Sequence, residues 1–271
     1  MGSIVVFGPR WSGKTTYLAG LAYWPSMGNQ NGNSILVEPI NQDAKKLVNY
    51  TKNQILQQES VKATKLGETK ELIYLFNINV KPRFGQAEQI NLVAKDYAGE
   101  IWSNIEDAGE IIVQDQDFFE EALLKEVQGW LIMLPGWEWE YDDSYHQVMK
   151  ILIELMDSKE RLNDLRLAVT MSKCERGEIW PGRIDPEIDL FKKELKRTYS
   201  LLKEKINPQN LRFYASSTFG VLARNDPRPN RLFEAGNKDK AVLRDMRKWQ
   251  PYNMIAPLYW LNTGKRFWDD I

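Results

Sequence analysis

The stretch Gly8-Pro9-Arg10-Trp11-Ser12-Gly13-Lys14-Thr15 constrains this chain more than any other. It fits the pattern G-x-x-x-x-G-K-[ST], follows the apolar run Ile4-Val5-Val6-Phe7 and precedes the helix-like TTYLAGLAYW. A strand that turns through glycines into a helix leaves backbone N–H groups aimed into the turn, and the helix N-terminus attracts anions. These are the requirements of a phosphate-binding loop. In such a loop Lys14 reaches the β- and γ-phosphates of a nucleotide, and the Thr15 hydroxyl ligates Mg²⁺. Gly8, Arg10, Ser12, Gly13 and Thr16 complete the candidate cradle. Four fixed positions match by chance in about one such chain in a hundred.

Three further stretches narrow the type of nucleotide protein. Residues 71–80 (ELIYLFNINV) and 88–100 (EQINLVAKDYAGE) are strand-like and joined by KPRFGQA. A link that short closes an antiparallel hairpin, because a parallel crossover needs a dozen or more residues. One antiparallel strand therefore enters the sheet beside the phosphate-binding strand. The second run ends in Asp96-Tyr97-Ala98-Gly99, a D-x-x-G at the strand end where open α/β sheets bind ligands. LRLAVTMSKCERG (165–177) is an apolar strand running into Ser172-Lys173-Cys174-Glu175, and LRFYASSTFGVL (211–222) is another, ending in Ala215-Ser216-Ser217.

This order of motifs, over residues 3 to about 220, resembles the Ras-like, translation-factor-related P-loop GTPases. The resemblance implies an α/β fold of three layers, a mostly parallel sheet with one antiparallel hairpin strand and helices on both faces. It implies GTP/GDP and Mg²⁺ as ligands. Asp96 would hold Mg²⁺ through water and Gly99 would meet the γ-phosphate. Lys173 would pack on the base, while Glu175 would accept from guanine N1–H and N2–H₂, a donor pair adenine lacks. A backbone N–H of the Ser216-Ser217 segment would meet guanine O6. Switch I needs a threonine for Mg²⁺ and the γ-phosphate, for which Thr64 is the first choice and Thr69 the alternative. Thr15, Asp96 and Thr64 thus form the metal set, and Lys14, Gly99, Glu100 and Thr64 the catalytic one. The family pattern is [NT]-K-x-D where this chain has Ser172 to Glu175, and Gln where it has Glu100. A carboxylate beside the γ-phosphate adds negative charge where it already crowds, so slow hydrolysis is expected, stimulated by Arg10, Arg83 or a partner protein. The tail, WQPYNMIAPLYWLNTG, makes the chain similar to the prokaryotic double-GTPase group associated with bacterial conflict and signalling systems. Two competing readings remain, a catalytically inactive G-domain scaffold and a P-loop ATPase or kinase.

The remaining features bound the class. With 271 residues and 43% hydrophobic content, the chain is expected to form a single domain over 1–271. Insertions fall at about 25–70 and 220–248, and a closing helix at about 252–264. A formal net charge of -1 offers no field for nucleic acid. One cysteine, Cys174, and one histidine, His146, exclude an internal disulfide and a typical zinc cage and point to a reducing cytoplasm. No signal-like N-terminus or apolar run of about 18 residues suggests a membrane segment.

Within the first insertion, Ala44, Leu47, Val48, Thr51 and Ile55 share one helical face. FFEEALLKE reads as a helix and VQGWLIMLP as a central strand. A helix opens with a capping box of Ser144 and Gln147, another starts at Asp185-Pro186, and the last is bounded by Asn253 as N-cap, Pro257 and Gly264. Candidate surfaces for an effector or activating protein are the switch segments 60–70 and 96–110 and the loop 135–145, whose Trp137 and Trp139 either face a partner or pack beneath the loop. The basic second insertion is read as a solvated loop, with an effector arm as the alternative. A nucleotide-dependent dimer through the switches is also consistent with these motifs.

Overall fold

A computed structural model of the chain describes residues 3–23, 34–57, 73–81, 86–95, 98–137, 139–234 and 237–267. In chain order the first half contains β1 (Ser3–Phe7), α1 (Lys14–Tyr23), β2 (Ser34–Pro39), α2 (Gln42–Gln57), β3 (Ile73–Lys81), β4 (Glu88–Lys95), α3 (Ala98–Ala108), α4 (Gln116–Ala122) and β5 (Val127–Pro135). The second half contains α5 (Asp142–Ser158), β6 (Arg166–Ser172), α6 (Ile179–Gly182), α7 (Lys196–Lys205) and β7 (Leu211–Ala215). It continues with β8 (Val221–Ala223), β9 (Asp226–Pro229), β10 (Arg231–Glu234), β11 (Asn237–Leu243) and α8 (Ala256–Thr263). Seven strands form one sheet in the order β2-β3-β4-β1-β5-β6-β7. β3 runs antiparallel to both of its neighbours, and the other pairings are parallel. This is an α/β P-loop nucleotide-binding fold.

Side-chain alternation along the strands divides the core into two layers. Val5 and Phe7 of β1 join Trp130, Ile132 and Leu134 of β5 under α3, α4, α5 and α7. Ile4 and Val6, with Leu131 and Met133, face α1, α2 and α8. Phe7 is the centre of the first layer. Its ring lies 5.3 Å from Trp102, 5.6 Å from Phe118 and 5.9 Å from Phe119. Ring pairs of this kind contribute about 1 kcal/mol each beyond their burial. The residue just before the phosphate loop is therefore among the most firmly held in the chain.

Several boundaries differ from the sequence reading. The strand beside β1 is β4, which is parallel to it, and the antiparallel strand is one place further out. The first insertion holds the expected helix, with Ala44 and Leu47 buried, but also the edge strand β2. Every residue of β2 is half-buried or exposed, so no apolar run announced it. Ser144 lies inside the first turn of α5, not at its N-cap, and its hydroxyl donates to Glu106 at 2.6 Å instead of closing a capping box. The helix expected from Asp185 is interrupted. Residues Glu187–Lys192 form a π-helical turn, and Leu195, with φ -116° and ψ 58°, precedes α7. Asn253 is not the N-cap of α8. It takes a left-handed φ of 53°, and its amide donates to the Ala215 carbonyl at 3.0 Å. Gly264 does end that helix in the left-handed region, its N–H bonded to Trp260. The second insertion is not an irregular loop but two antiparallel hairpins, β8–β9 and β10–β11.

At the sheet edge away from the phosphate loop, Arg161 ties three elements. Its side chain, 5% exposed, donates to the Leu123 carbonyl at 2.7 Å, to that of Leu124, and to that of Val127 at 2.6 Å. Nε meets Asp164 at 2.9 Å. These carbonyls close α4 and open β5, and no uncharged side chain of similar length can satisfy all three. Arg161→Met is expected to lower stability by about 3 kcal/mol, read as a lower urea midpoint at unchanged slope. A loss below about 0.5 kcal/mol would show that solvent replaces the guanidinium there.

Candidate functional site

Because β1, β4, β5, β6 and β7 are parallel, their carboxyl ends lie along one edge. The phosphate loop leaves β1 there. Gly8 has φ 148°, and a Cβ on it would stand 2.2 Å from the Met133 carbonyl oxygen, so only glycine lets the chain pass. Trp11 and Gly13 take φ 65° and 85°, closing the turn into α1, where the Tyr17 N–H bonds the Gly13 carbonyl at 2.8 Å. Trp11 pays no burial role, being 57% exposed at the loop tip. Lys14 is buried and its ammonium donates to the carbonyls of Gly8 at 2.8 Å and Pro9 at 2.7 Å and to Ser12 Oγ at 3.2 Å. The charge is thus held within the concavity of its own loop.

Gly99, in the first turn of α3, is brought against this loop. A Cβ on Gly99 would lie 3.2 Å from Lys14 Nζ and 3.4 Å from Arg10 Cα, so the glycine of D-x-x-G and the loop lysine are near neighbours. Glu100 follows, and its carboxylate pairs with Arg10 at 3.6 Å with both side chains about half exposed. At that exposure the pair is a weak tether between loop and helix. Thr15 and Thr16, half-buried, occupy the first turn of α1. Asp96, Thr64, Thr69 and Arg83 lie outside the described residues. Thr15 is thus the described member of the metal set. Mg²⁺ keeps several waters and takes only one or two protein ligands, so a single hydroxyl beside a phosphate cradle is compatible with it.

The turn after β6 is built against the same loop. Ser172 is buried, and its hydroxyl lies 2.6 Å from the Ser12 carbonyl and 3.3 Å from that of Leu134. The departure from the family's Asn or Thr therefore keeps a hydroxyl that binds the β6 end to the phosphate loop. Lys173 adopts φ 58°, and a Cβ on Gly13 would lie 3.9 Å from its Cε, so its aliphatic stem extends over the loop. Trp137 packs beneath this turn, half-buried, its indole N–H donating to the Arg176 carbonyl at 3.1 Å. Cys174 is fully buried, and burial pushes its thiol well above the ordinary range, with the Glu175 charge adding to the shift.

Glu175 is the anomaly of the site. Its side chain is 1% exposed, and neither carboxylate oxygen has a hydrogen-bond donor. The guanidinium of Arg231, at the start of β10, lies 3.5 Å from Oε1. A buried carboxylate without donors is costly, and two orphaned acceptor oxygens fit a ligand that presents two adjacent N–H groups. Because the oxygens are closed to solvent, such a ligand reaches them only when the covering residues part. Ser216 and Ser217 are buried beside this turn. The Ser216 N–H bonds the Met171 carbonyl at 2.8 Å and the Ser217 N–H that of Tyr252 at 3.0 Å, so both backbone donors offered for guanine O6 are already engaged. The Ser217 hydroxyl accepts from the Gly220 N–H at 2.7 Å.

Arg231 carried no signal in the sequence. RLFEA reads as an ordinary strand start, and nothing in its spacing shows that its first residue faces a carboxylate 56 positions earlier. The one available clue is chemical, since a buried acid needs a cation. Among the described residues no group of three or more His, Cys, Asp or Glu could hold a metal, and no helix is long and apolar enough to cross a membrane.

No curated protein matches the chain. The profile of the Double-GTPase 1 family matches residues 5–173, from β1 through the phosphate loop and the Gly99 turn to the lysine after β6. That span covers more than half of the chain and includes the close approaches of Gly99 to Lys14 and of Lys173 to Gly13. The chain belongs to the Double-GTPase 1 family of P-loop GTPases.

Proposed function

We propose that this protein is a guanine-nucleotide switch that binds GTP and hydrolyses it slowly, within a single GTPase-like domain spanning residues 1–271. The observation that carries the guanine reading is the buried Glu175 carboxylate, whose two oxygens lack donors at the end of the strand tied by Ser172 to the phosphate loop. Guanine offers N1–H and N2–H₂ side by side. Adenine offers no such pair, and hypoxanthine lacks the N2 amine.

In this reading Lys14 exchanges its loop carbonyls for the β- and γ-phosphate oxygens, and the Gly8–Gly13 turn supplies backbone N–H groups. Gly99, already against Lys14, moves with the γ-phosphate and carries α3 with it. Thr15 would hold Mg²⁺, joined by Asp96 and Thr64, with Thr69 the alternative to Thr64. Bound Mg²⁺ would supply positive charge across the phosphates. Glu100 orients the attacking water, and Arg10 offsets part of the charge that Glu100 brings. The segments 60–70 and 96–110 are the surfaces a partner would read, with 135–145 adjoining them. A cytoplasmic signalling or conflict role, a nucleotide-dependent dimer and an external stimulating group belong to the same proposal.

The second reading, an inactive scaffold, is favoured by one observation. Glu100 stands where water-positioning Gln is usual and is tethered to Arg10. It predicts nucleotide binding without multiple turnover.

Calorimetric titration of nucleotide-free protein with GTP, ITP and ATP in Mg²⁺ tests base recognition. GTP is expected to bind at least about tenfold tighter than ITP and about a hundredfold tighter than ATP, and Glu175→Ala to abolish both preferences, each lost hydrogen bond to the charged group costing about 1.5–3 kcal/mol. Equal ATP affinity in the unaltered protein would sink the guanine assignment.

Phosphate release tests the second half of the reading. Turnover at or below about 0.01 per second is expected for the protein alone, and Arg10→Ala should slow it by about tenfold or more with GTP affinity little changed. Turnover of many per second would contradict the slow-switch reading, and none after the first cycle would favour the scaffold.

A further inference from the structure

Glu175 and Arg231 come from opposite ends of the site, one from the turn after β6 and the other from the second insertion, yet their side chains are buried against each other. Arg231 is 9% exposed and its Nη1 is 3.5 Å from Glu175 Oε1. Burial pulls the guanidinium below its ordinary range, with the Glu175 charge opposing that shift and Arg176 adding to it. Taking both charges out of water is unfavourable without good partners, and this pair is in Coulomb contact without a hydrogen bond between its members. A pair built only for stability would be expected to close that gap.

The foot that delivers Arg231 is rigid. Asn230, fully buried, donates its amide to the Asp245 carbonyl at 2.9 Å and accepts the Asp245 N–H at 2.8 Å. Its own N–H bonds the Gly220 carbonyl at 2.9 Å, and its carbonyl accepts from the Arg244 N–H at 3.2 Å. Gly220 in turn takes φ 66°, and a Cβ on it would stand 1.9 Å from the Gln250 carbonyl oxygen. The residue before Arg231 is thus fixed at the root of both hairpins, and β10–β11 extends beyond it.

We infer that Arg231 is a positioning residue of the guanine-reading carboxylate, so that the second insertion is part of the nucleotide site; this rests on the proposed reading of Glu175. A carboxylate has two oxygens and about four lone-pair sites. Guanine N1–H and N2–H₂ take one on each oxygen, leaving room for the guanidinium at Oε1. Arg231 then does two things that guanine recognition requires. It places a positive charge beside a carboxylate that is closed to solvent and whose oxygens have no other donor. It also fixes which way the carboxylate plane faces.

The test measures Kd for GTP, ITP and ATP, with Mg²⁺, on nucleotide-free full-length protein carrying Arg231→Met, Arg231→Lys, Glu175→Ala or both Arg231→Met and Glu175→Ala. Arg231→Met should lower the GTP-over-ATP ratio at least about tenfold by weakening GTP while leaving ATP unchanged. Arg231→Lys, which keeps the charge but not the planar fork, should recover part of the ratio and provides the answer if the Met variant does not fold. In the double variant the Arg231 change should add nothing to the loss from Glu175→Ala. A purely structural role would alter stability and leave the ratio intact, and tighter GTP binding in Arg231→Met would make the arginine a competing occupant; either result overturns the inference. If Glu175→Ala itself leaves the ratio unchanged, the base reading has failed and the inference with it, whereas loss in Glu175→Ala alone would reject only the part assigned to Arg231.

Discussion

The site depends on the passage of the chain at Gly8. The backbone leaves β1 so close to β5 that a Cβ would fall 2.2 Å from the Met133 carbonyl oxygen, well inside the limit of any real contact. That approach is possible because β1 and β5 are adjacent parallel strands, paired from Ile4 with Gly129 to Phe7 with Ile132. Phe7, the last residue of β1, is in turn held in a cluster with Trp102, Phe118 and Phe119. A core of aromatic rings on one side of the sheet thereby anchors the residue from which the phosphate loop begins. Everything downstream inherits that position, including the ammonium of Lys14 and the Gly99 turn above it.

The second consequence is how the loop is joined to the rest of the edge. Ser172 reaches the Ser12 carbonyl from the end of β6, and the stem of Lys173 lies over Gly13. The phosphate loop and the turn after β6, proposed to read the base, are therefore not independent modules that happen to share a sheet. A shift of the loop on taking up a triphosphate would be felt at the turn that presents Glu175, through a buried hydrogen bond that contributes on the order of 1 kcal/mol and costs more when broken without replacement. Coupling of this kind suits a protein whose output is a change of state.

Much of this was legible because phosphate recognition is local. The spacing of Gly8, Gly13 and Lys14 between an apolar run and a helix is set by one turn of backbone, and a seven-residue link between two strand-like runs admits little besides a hairpin. The antiparallel strand β3 and the strand ending at Ala215 show alternating burial, and those ending at Pro135 and Ser172 are near-continuous apolar runs, as buried parallel strands are. What escaped was decided by tertiary contact. β2 is an edge strand with nothing fully buried, Asn253 found a better partner in the Ala215 carbonyl than in a helix turn, and Ser144 found Glu106. Asp96, Thr64 and Thr69 lie outside the described residues, so the switch assignments stay where the sequence left them.

The hairpins of the second insertion illustrate the limit most clearly. Their sequence is polar, charged and punctuated by proline, which reads as solvated chain, and two of its residues, Asn230 and Arg231, are nonetheless buried. Polar residues are buried in a folded chain when their hydrogen bonds or charges are met by partners far away in sequence. Such pairing leaves no periodic trace. The family match also ends at Lys173, before Glu175 and the whole of this insertion. The phosphate-loop residues Gly8 to Thr15, Gly99 and Lys173 thus lie within the matched span, while Glu175 and Arg231, proposed to read the base, lie beyond it. In the proposed reading a protein can keep its phosphate chemistry and alter its recognition in this way, since Glu175 and Arg231 are contributed by a length of chain beyond the family span and join it at the turn after β6.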